Sequence, residues 1–91
     1  MIERLQVIFH GRVQGVGFRQ TCVCLSQDFK ITGYVKNCAD GSVELVAEAK
    51  KADLEKFLKK ILNSYLSKGI VNYHPTWLIA DKTFDSFRVS Y

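Results

Sequence analysis

This chain has little cysteine, histidine or proline and no long apolar run, and each scarcity removes a class of protein. Its three cysteines, Cys22, Cys24 and Cys38, are odd in number and lack framework spacing, which excludes a disulfide scaffold and fits a reducing compartment. Cys22 and Cys24 lie two apart on a predicted helix, so they point to different sides and cannot easily pair. With only His10 and His74 besides, no set of four ligands has zinc spacing, and neither a metal nor a cofactor is expected. No apolar run approaches the roughly 20 residues a membrane span needs, and no targeting segment is recognisable. The expectation is a soluble cytoplasmic protein without membrane contact. Linkers, repeats and low-complexity tracts are also missing, so residues 1–91 read as one domain, expected to be a monomer.

Acidic residues are the minority charge, 9 against 13 basic ones, for a formal net charge of +4. Lys56, Lys59 and Lys60 fall on the outer face of one predicted helix, where solvation explains the clustering without a nucleic-acid partner. The excess would still mildly attract small anionic substrates.

What is present is a clear order of elements. Leu5, Val7 and Phe9 alternate along a first strand, with Ile8 on the other face. Phe18, Cys22, Leu25 and Phe29 then form the stripe of an amphipathic helix that should stop near Lys30. Residues 31–37 are β-branched and aromatic enough for a second strand, and Asp40-Gly41 marks a hairpin into a third. There Val43, Leu45 and Ala47 should be buried, with Glu44 and Glu48 solvated. Leu54, Phe57, Leu58, Ile61, Leu62, Tyr65 and Leu66 outline a second helix, and Gly69 stands where a left-handed C-terminal cap belongs. Residues 70–79 are strand-prone, but Pro75 cannot donate to a ladder and demotes them to an edge or interrupted strand. Phe87, Val89 and Tyr91 alternate in a final strand. Strand–helix–strand–strand–helix–strand is the α+β, ferredoxin-like split βαβ plan, an antiparallel sheet with two helices packed on one face. The first two strands should therefore run parallel with another between them, their C-terminal ends at one edge of the sheet.

At that edge the first strand gives way to Gly11-Arg12-Val13-Gln14-Gly15-Val16-Gly17-Phe18-Arg19. Closely spaced glycines before a helix can turn several backbone N–H groups toward one anion. Arg19 adds a planar fork suited to phosphate or carboxylate oxygens. The segment lacks both the Gly-Lys-Ser/Thr ending of a nucleotide P-loop and the third glycine of a dinucleotide fingerprint, and an ordinary turn is the plain alternative. Topology brings Asn37 to the same edge. A carboxamide can orient a water without taking its proton. With no nucleophile or base expected nearby, the substrate must be an activated phosphate, such as a mixed anhydride with a good carboxylate leaving group. His10 reads as a half-buried structural residue, His74 and Trp77 as packing residues, and Cys38 as an inert thiol beside Asn37.

The 11–19 segment, Gly33-Tyr34-Val35-Lys36-Asn37 and Asp40-Gly41-Ser42-Val43-Glu44 together closely resemble the acylphosphatases, over roughly residues 4–66. The resemblance implies metal-independent hydrolysis of acyl phosphates to carboxylate and inorganic phosphate. It implies that Arg19 binds the phosphate, that Asn37 orients the water, and that Val13, Gln14, Gly15, Val16, Gly17 and Phe18 form the amide-donating loop. Tyr34 stands where the family usually has tryptophan, a swap expected to preserve apolar packing beside the site. Residues 68–77 depart from the family's Gly-Pro and regular strand. Two rival classes stay open. One is a non-catalytic accessory domain of this type within a larger carbamoyl-handling protein. The other is a ferredoxin-like RNA-binding module, disfavoured because the RNP1 pattern and its stacking aromatics are absent.

Overall fold

In the computed structural model, which describes residues 1–91, the first alternation becomes β1 (Ile2–Gly11). Leu5, Val7 and Phe9 are all fully buried on one face of that strand. The helix α1 (Phe18–Ser26) buries Phe18 and Cys22, and the strands β2 (Thr32–Asn37) and β3 (Val43–Lys50) follow, joined by the Asp40-Gly41 turn. The second helix, α2 (Lys51–Leu62), buries Leu54, Phe57 and Ile61, and β4 (Ile70–Ile79) and β5 (Phe87–Ser90) complete the chain. The sheet order is β4-β1-β3-β2-β5. No helix is long and apolar enough to cross a membrane.

Register fixes the two faces. Phe9, Val43 and Asn37 lie side by side across β1, β3 and β2, as do Val7, Leu45 and Val35. This face meets both helices in one buried cluster that includes Val7, Phe9, Phe18, Leu45 and Phe57. Four strands are antiparallel, and β1 and β2 run parallel to each other with β3 between them. The fifth strand pairs with β2 in the parallel sense and makes the sheet mixed. As anticipated for a proline-bearing segment, β4 is an edge, with Pro75 opposite Val7.

Several sequence expectations need correction. The first helix ends at Ser26, short of Lys30, because the Ser26 hydroxyl bonds back to the Val23 carbonyl (2.6 Å) and the next amides reach carbonyls three residues back. Phe29 still packs, its ring 6.2 Å from Phe57. The second helix stops at Leu62 rather than continuing to Leu66. Ser64 donates to the Ile61 carbonyl (2.7 Å), accepts from the Leu66 amide and opens a 3₁₀ turn, Tyr65–Lys68. Leu66 remains buried, but Tyr65 leaves the core stripe and is 57% exposed. Gly69 is not a left-handed cap, since its φ is −96°. It is glycine because a Cβ there would lie 2.1 Å from the Arg12 carbonyl oxygen.

Glu48 is the largest departure: it is buried, not solvated, with 2% of its surface exposed. β3 is the central strand, and residues 80–86 fold over its second face. The Glu48 carboxylate accepts from Arg4 Nε (2.8 Å) and from the Asp81 and Lys82 amides (3.1 and 3.0 Å). Phe84 completes the cover, with Arg4 5.3 Å and Tyr34 5.8 Å from its ring centroid. Tyr34 therefore packs on the face opposite Asn37 and not beside the candidate site.

Candidate active site

The segment between β1 and α1 is shaped by glycines that no other residue replaces without strain. Gly15 and Gly17 have φ of 75° and 79°, in the left-handed region, and Gly17 is the N-terminal cap of α1. Val13, fully buried, anchors the loop to the core. From Val13 to Gly17 no main-chain N–H donates to any backbone or side-chain acceptor. No side chain caps α1, and its first turn carries no acidic residue. A run of unpaired donors ending at a helix N-terminus has the chemistry to accept an anion.

Arg19 stands in the first turn of that helix, half-buried, and forms no ion pair. Its guanidinium carbon lies 5.2 Å over the Tyr91 ring, which holds the side chain without neutralising it. Asn37 ends β2 on the helix-covered face, level with Phe9. Its carboxamide oxygen is buried and has no hydrogen-bond donor. An acceptor in that position is costly unless a ligand or water donates to it. Arg19 and Asn37 line one cleft of about 150 Å³ together with Val13, Gly15, Gly17 and Phe18. Gln20, Val89 and Tyr91 complete its wall.

Of the expected loop residues, Gln14 and Val16 turn their side chains elsewhere. Gln14 Nε2 donates to the Cys38 and Ser42 carbonyls (2.8 and 2.9 Å) and ties the loop to the β2–β3 hairpin. Asp40 stiffens that hairpin by accepting from the Ser42 hydroxyl (2.6 Å) and amide (3.0 Å), and these bonds hold its carboxyl below the usual range. Val16 is at the rim, on the outer side of the loop. His10 packs its ring against His74 (5.4 Å) and lies outside the cleft, as does Cys38. Burial pushes the Cys22 thiol up to about 12, which leaves it no thiolate character at neutral pH.

No sequence motif marks Val89 and Tyr91 as part of the cleft wall. Their alternation with Phe87 does put them on one face, but only the parallel pairing of β5 with β2 carries that face to Arg19. No group of three or more His, Cys, Asp or Glu converges in a way that could hold a metal ion. A larger hollow, about 660 Å³, lies between the helices under Lys56, Lys59 and Lys60, and it has neither free main-chain donors nor a buried orphan acceptor.

Comparison with known proteins identifies the family. The family model described as Acylphosphatase matches residues 5–89. An acylphosphatase from Lactobacillus gasseri is 45% identical over 82 residues, covering 89% of this chain and 90% of that protein. The crystal structure of the Bacillus subtilis acylphosphatase superposes with a TM-score of 0.89 at 31% identity, covering the whole of both chains. Full-length HypF in its phosphate- and nucleotide-bound form shares the fold (TM-score 0.87, 23% identity), the chain here corresponding to 12% of it.

Proposed function

This chain belongs to the acylphosphatase family and is an enzyme of that class, and from that premise we propose how its own residues carry out acyl phosphate hydrolysis. The phosphoryl group enters the cleft and takes hydrogen bonds from the free N–H groups of the 13–18 loop. Arg19 adds two parallel charge-assisted donors from its fork. Asn37 accepts one hydrogen of a water through its unpaired oxygen and aims the water's lone pair at phosphorus. The water oxygen bonds to phosphorus as the bond to the acyl oxygen breaks. The carboxylate leaves with the bonding electrons, and the water's proton passes to a phosphate oxygen. The protein supplies no base, and an anhydride with so good a leaving group does not need one. Preorganised donors facing the redistributing charge, together with a positioned water, account for the acceleration.

The observation that carries this reading is the pairing of unspent donors with an unspent acceptor across one cleft: amides 13–17 and Arg19 opposite Asn37 Oδ1. Apart from the phosphate-facing donors and Asn37, the cleft wall offers Gln20, Val89 and Tyr91 and no charged side chain for an acyl chain, so turnover should depend on the phosphoryl end more than on the acyl chain. An RNA-binding use of the sheet is opposed by Phe84, which covers the open face at Tyr34.

The test is hydrolysis of benzoyl phosphate in the presence of EDTA. Release of phosphate well above the uncatalysed rate is expected, and its absence would reject the reading. Asn37→Ala should abolish turnover while inorganic phosphate still binds; loss of phosphate binding would make Asn37 a ligand or a structural residue instead.

A further inference from the structure

Building on the reading of the 13–18 loop as the phosphate cradle, we infer that Tyr65 is a positioning residue that aims the Gly17 N–H into the cleft. The Tyr65 hydroxyl lies 3.0 Å from the Val16 carbonyl oxygen and 3.0 Å from Thr21 Oγ1. A carbonyl only accepts, so the single phenolic hydrogen goes to Val16, and Thr21 donates its own hydrogen to Tyr65. Every peptide bond in the chain is trans. The Val16 C=O and the Gly17 N–H therefore share one plane and point in opposite directions. Holding that carbonyl against Tyr65 turns the Gly17 N–H toward the other side of the loop. Tyr65 borders an outer hollow shared with Arg12 and Val16, whereas Gly17 lines the phosphate cleft. The other side of the loop is thus the cleft itself.

Gly17 shows how close the contact is, since a Cβ there would meet the Tyr65 hydroxyl oxygen at 3.0 Å. The placement depends on the early end of α2. Had the helix continued, Tyr65 would occupy the core stripe. The 3₁₀ turn instead buries Leu66 and frees Tyr65 to reach out. The same segment holds the start of the loop, where the Arg12 amide donates to the Gly69 carbonyl (2.8 Å). Both ends of the loop are therefore pinned by residues 65–69.

Tyr65→Phe removes the hydroxyl and keeps the ring. Because this contact is exposed, the expected loss in kcat/KM for benzoyl phosphate is about 3- to 10-fold, the range of one ordinary hydrogen bond. Inhibition by inorganic phosphate should weaken by a similar factor with no change in the unfolding midpoint. Thr21→Val should act in the same direction, Thr21→Ser should restore activity, and Tyr65→Phe with Thr21→Val should be no worse than Tyr65→Phe alone. The Gly17 amide resonance gives a readout independent of turnover: its shift on adding inorganic phosphate should be strong in the wild type and diminished in Tyr65→Phe. Unchanged kcat/KM together with an undiminished Gly17 shift in Tyr65→Phe would overturn the inference, as would full additivity of the two substitutions. A wild type that binds phosphate at Gly17 yet hydrolyses nothing would reject the enzymatic reading and leave Tyr65's role standing.

Discussion

Arg4 and Arg19 are both partly buried arginines, one near the start of β1 and one just beyond its end, and their surroundings differ completely. Arg4 is paired with two carboxylates. Its Nε donates to Glu48 at 2.8 Å, and its Nη2 lies 2.7 Å from Asp81, an ion pair poorly aligned for a hydrogen bond. Phe84 stacks on its guanidinium. Glu48 uses its remaining capacity on the Asp81 and Lys82 amides, and so holds Lys82 at a positive φ of 59°. Arg19 has no carboxylate, and the amides beside it have no acceptors. Charge saturated by the protein fastens a loop onto the sheet. Charge and donors left unsaturated are, on the reading proposed above, kept for the phosphoryl group.

Substitutions at the two ends should therefore fail in opposite ways. Arg19→Ala should cost most: a 100- to 1,000-fold fall in kcat/KM for benzoyl phosphate, roughly 3–4 kcal/mol of transition-state stabilisation, as for other preorganised donors. Its unfolding free energy should change by less than about 0.5 kcal/mol. Arg19→Lys should also lose most activity, because an ammonium cannot reproduce the fork. Arg4→Ala should show the converse in chemical denaturation, a loss of about 3 kcal/mol with the turnover of the folded protein unchanged, because it leaves the buried Glu48 carboxylate without its counter-charge. Activity loss at Arg4 without destabilisation would dissolve the contrast.

Gly15→Ala lies between these cases. A Cβ there meets nothing within 4 Å, so the cost is that of the left-handed backbone, about 1–2 kcal/mol. The variant should lose both some stability and some phosphate affinity.

The smallest effect concerns pH. Asp40 is held below the usual carboxyl range by the Ser42 hydroxyl and amide, and Asp81 by the Thr83 hydroxyl, then its amide and Arg4. A lowered native pKa stabilises the fold above the unfolded value, about 3.9, and that contribution is lost as pH falls through the native value. Wild-type thermal stability should thus drop below about pH 4, and Asp40→Asn with Asp81→Asn should flatten the drop.

How far these features could be read in advance follows from the range of the interactions. The alternation of Leu5, Val7 and Phe9 and the positive-φ glycines are local, and the crossover rule was enough to bring the loop and Asn37 to one sheet edge. Glu48 gave no warning, because its burial is created by residues 80–86, far along the chain. Tyr65 matched a helical stripe, and a hydroxyl two positions past the helix, on Ser64, decided otherwise. Val89 and Tyr91 required knowing that β5 pairs with β2. Their place in the cleft is a property of sheet order, not of any motif.

The most direct measurement is a titration of isotope-labelled protein with inorganic phosphate, following the backbone amides and the Nε of both arginines by NMR. The largest saturable shifts should fall on Gly15, Gly17 and Arg19 Nε, with Arg4 Nε unmoved. Shifts absent from the loop, or centred on Lys56, Lys59 and Lys60, would contradict the account.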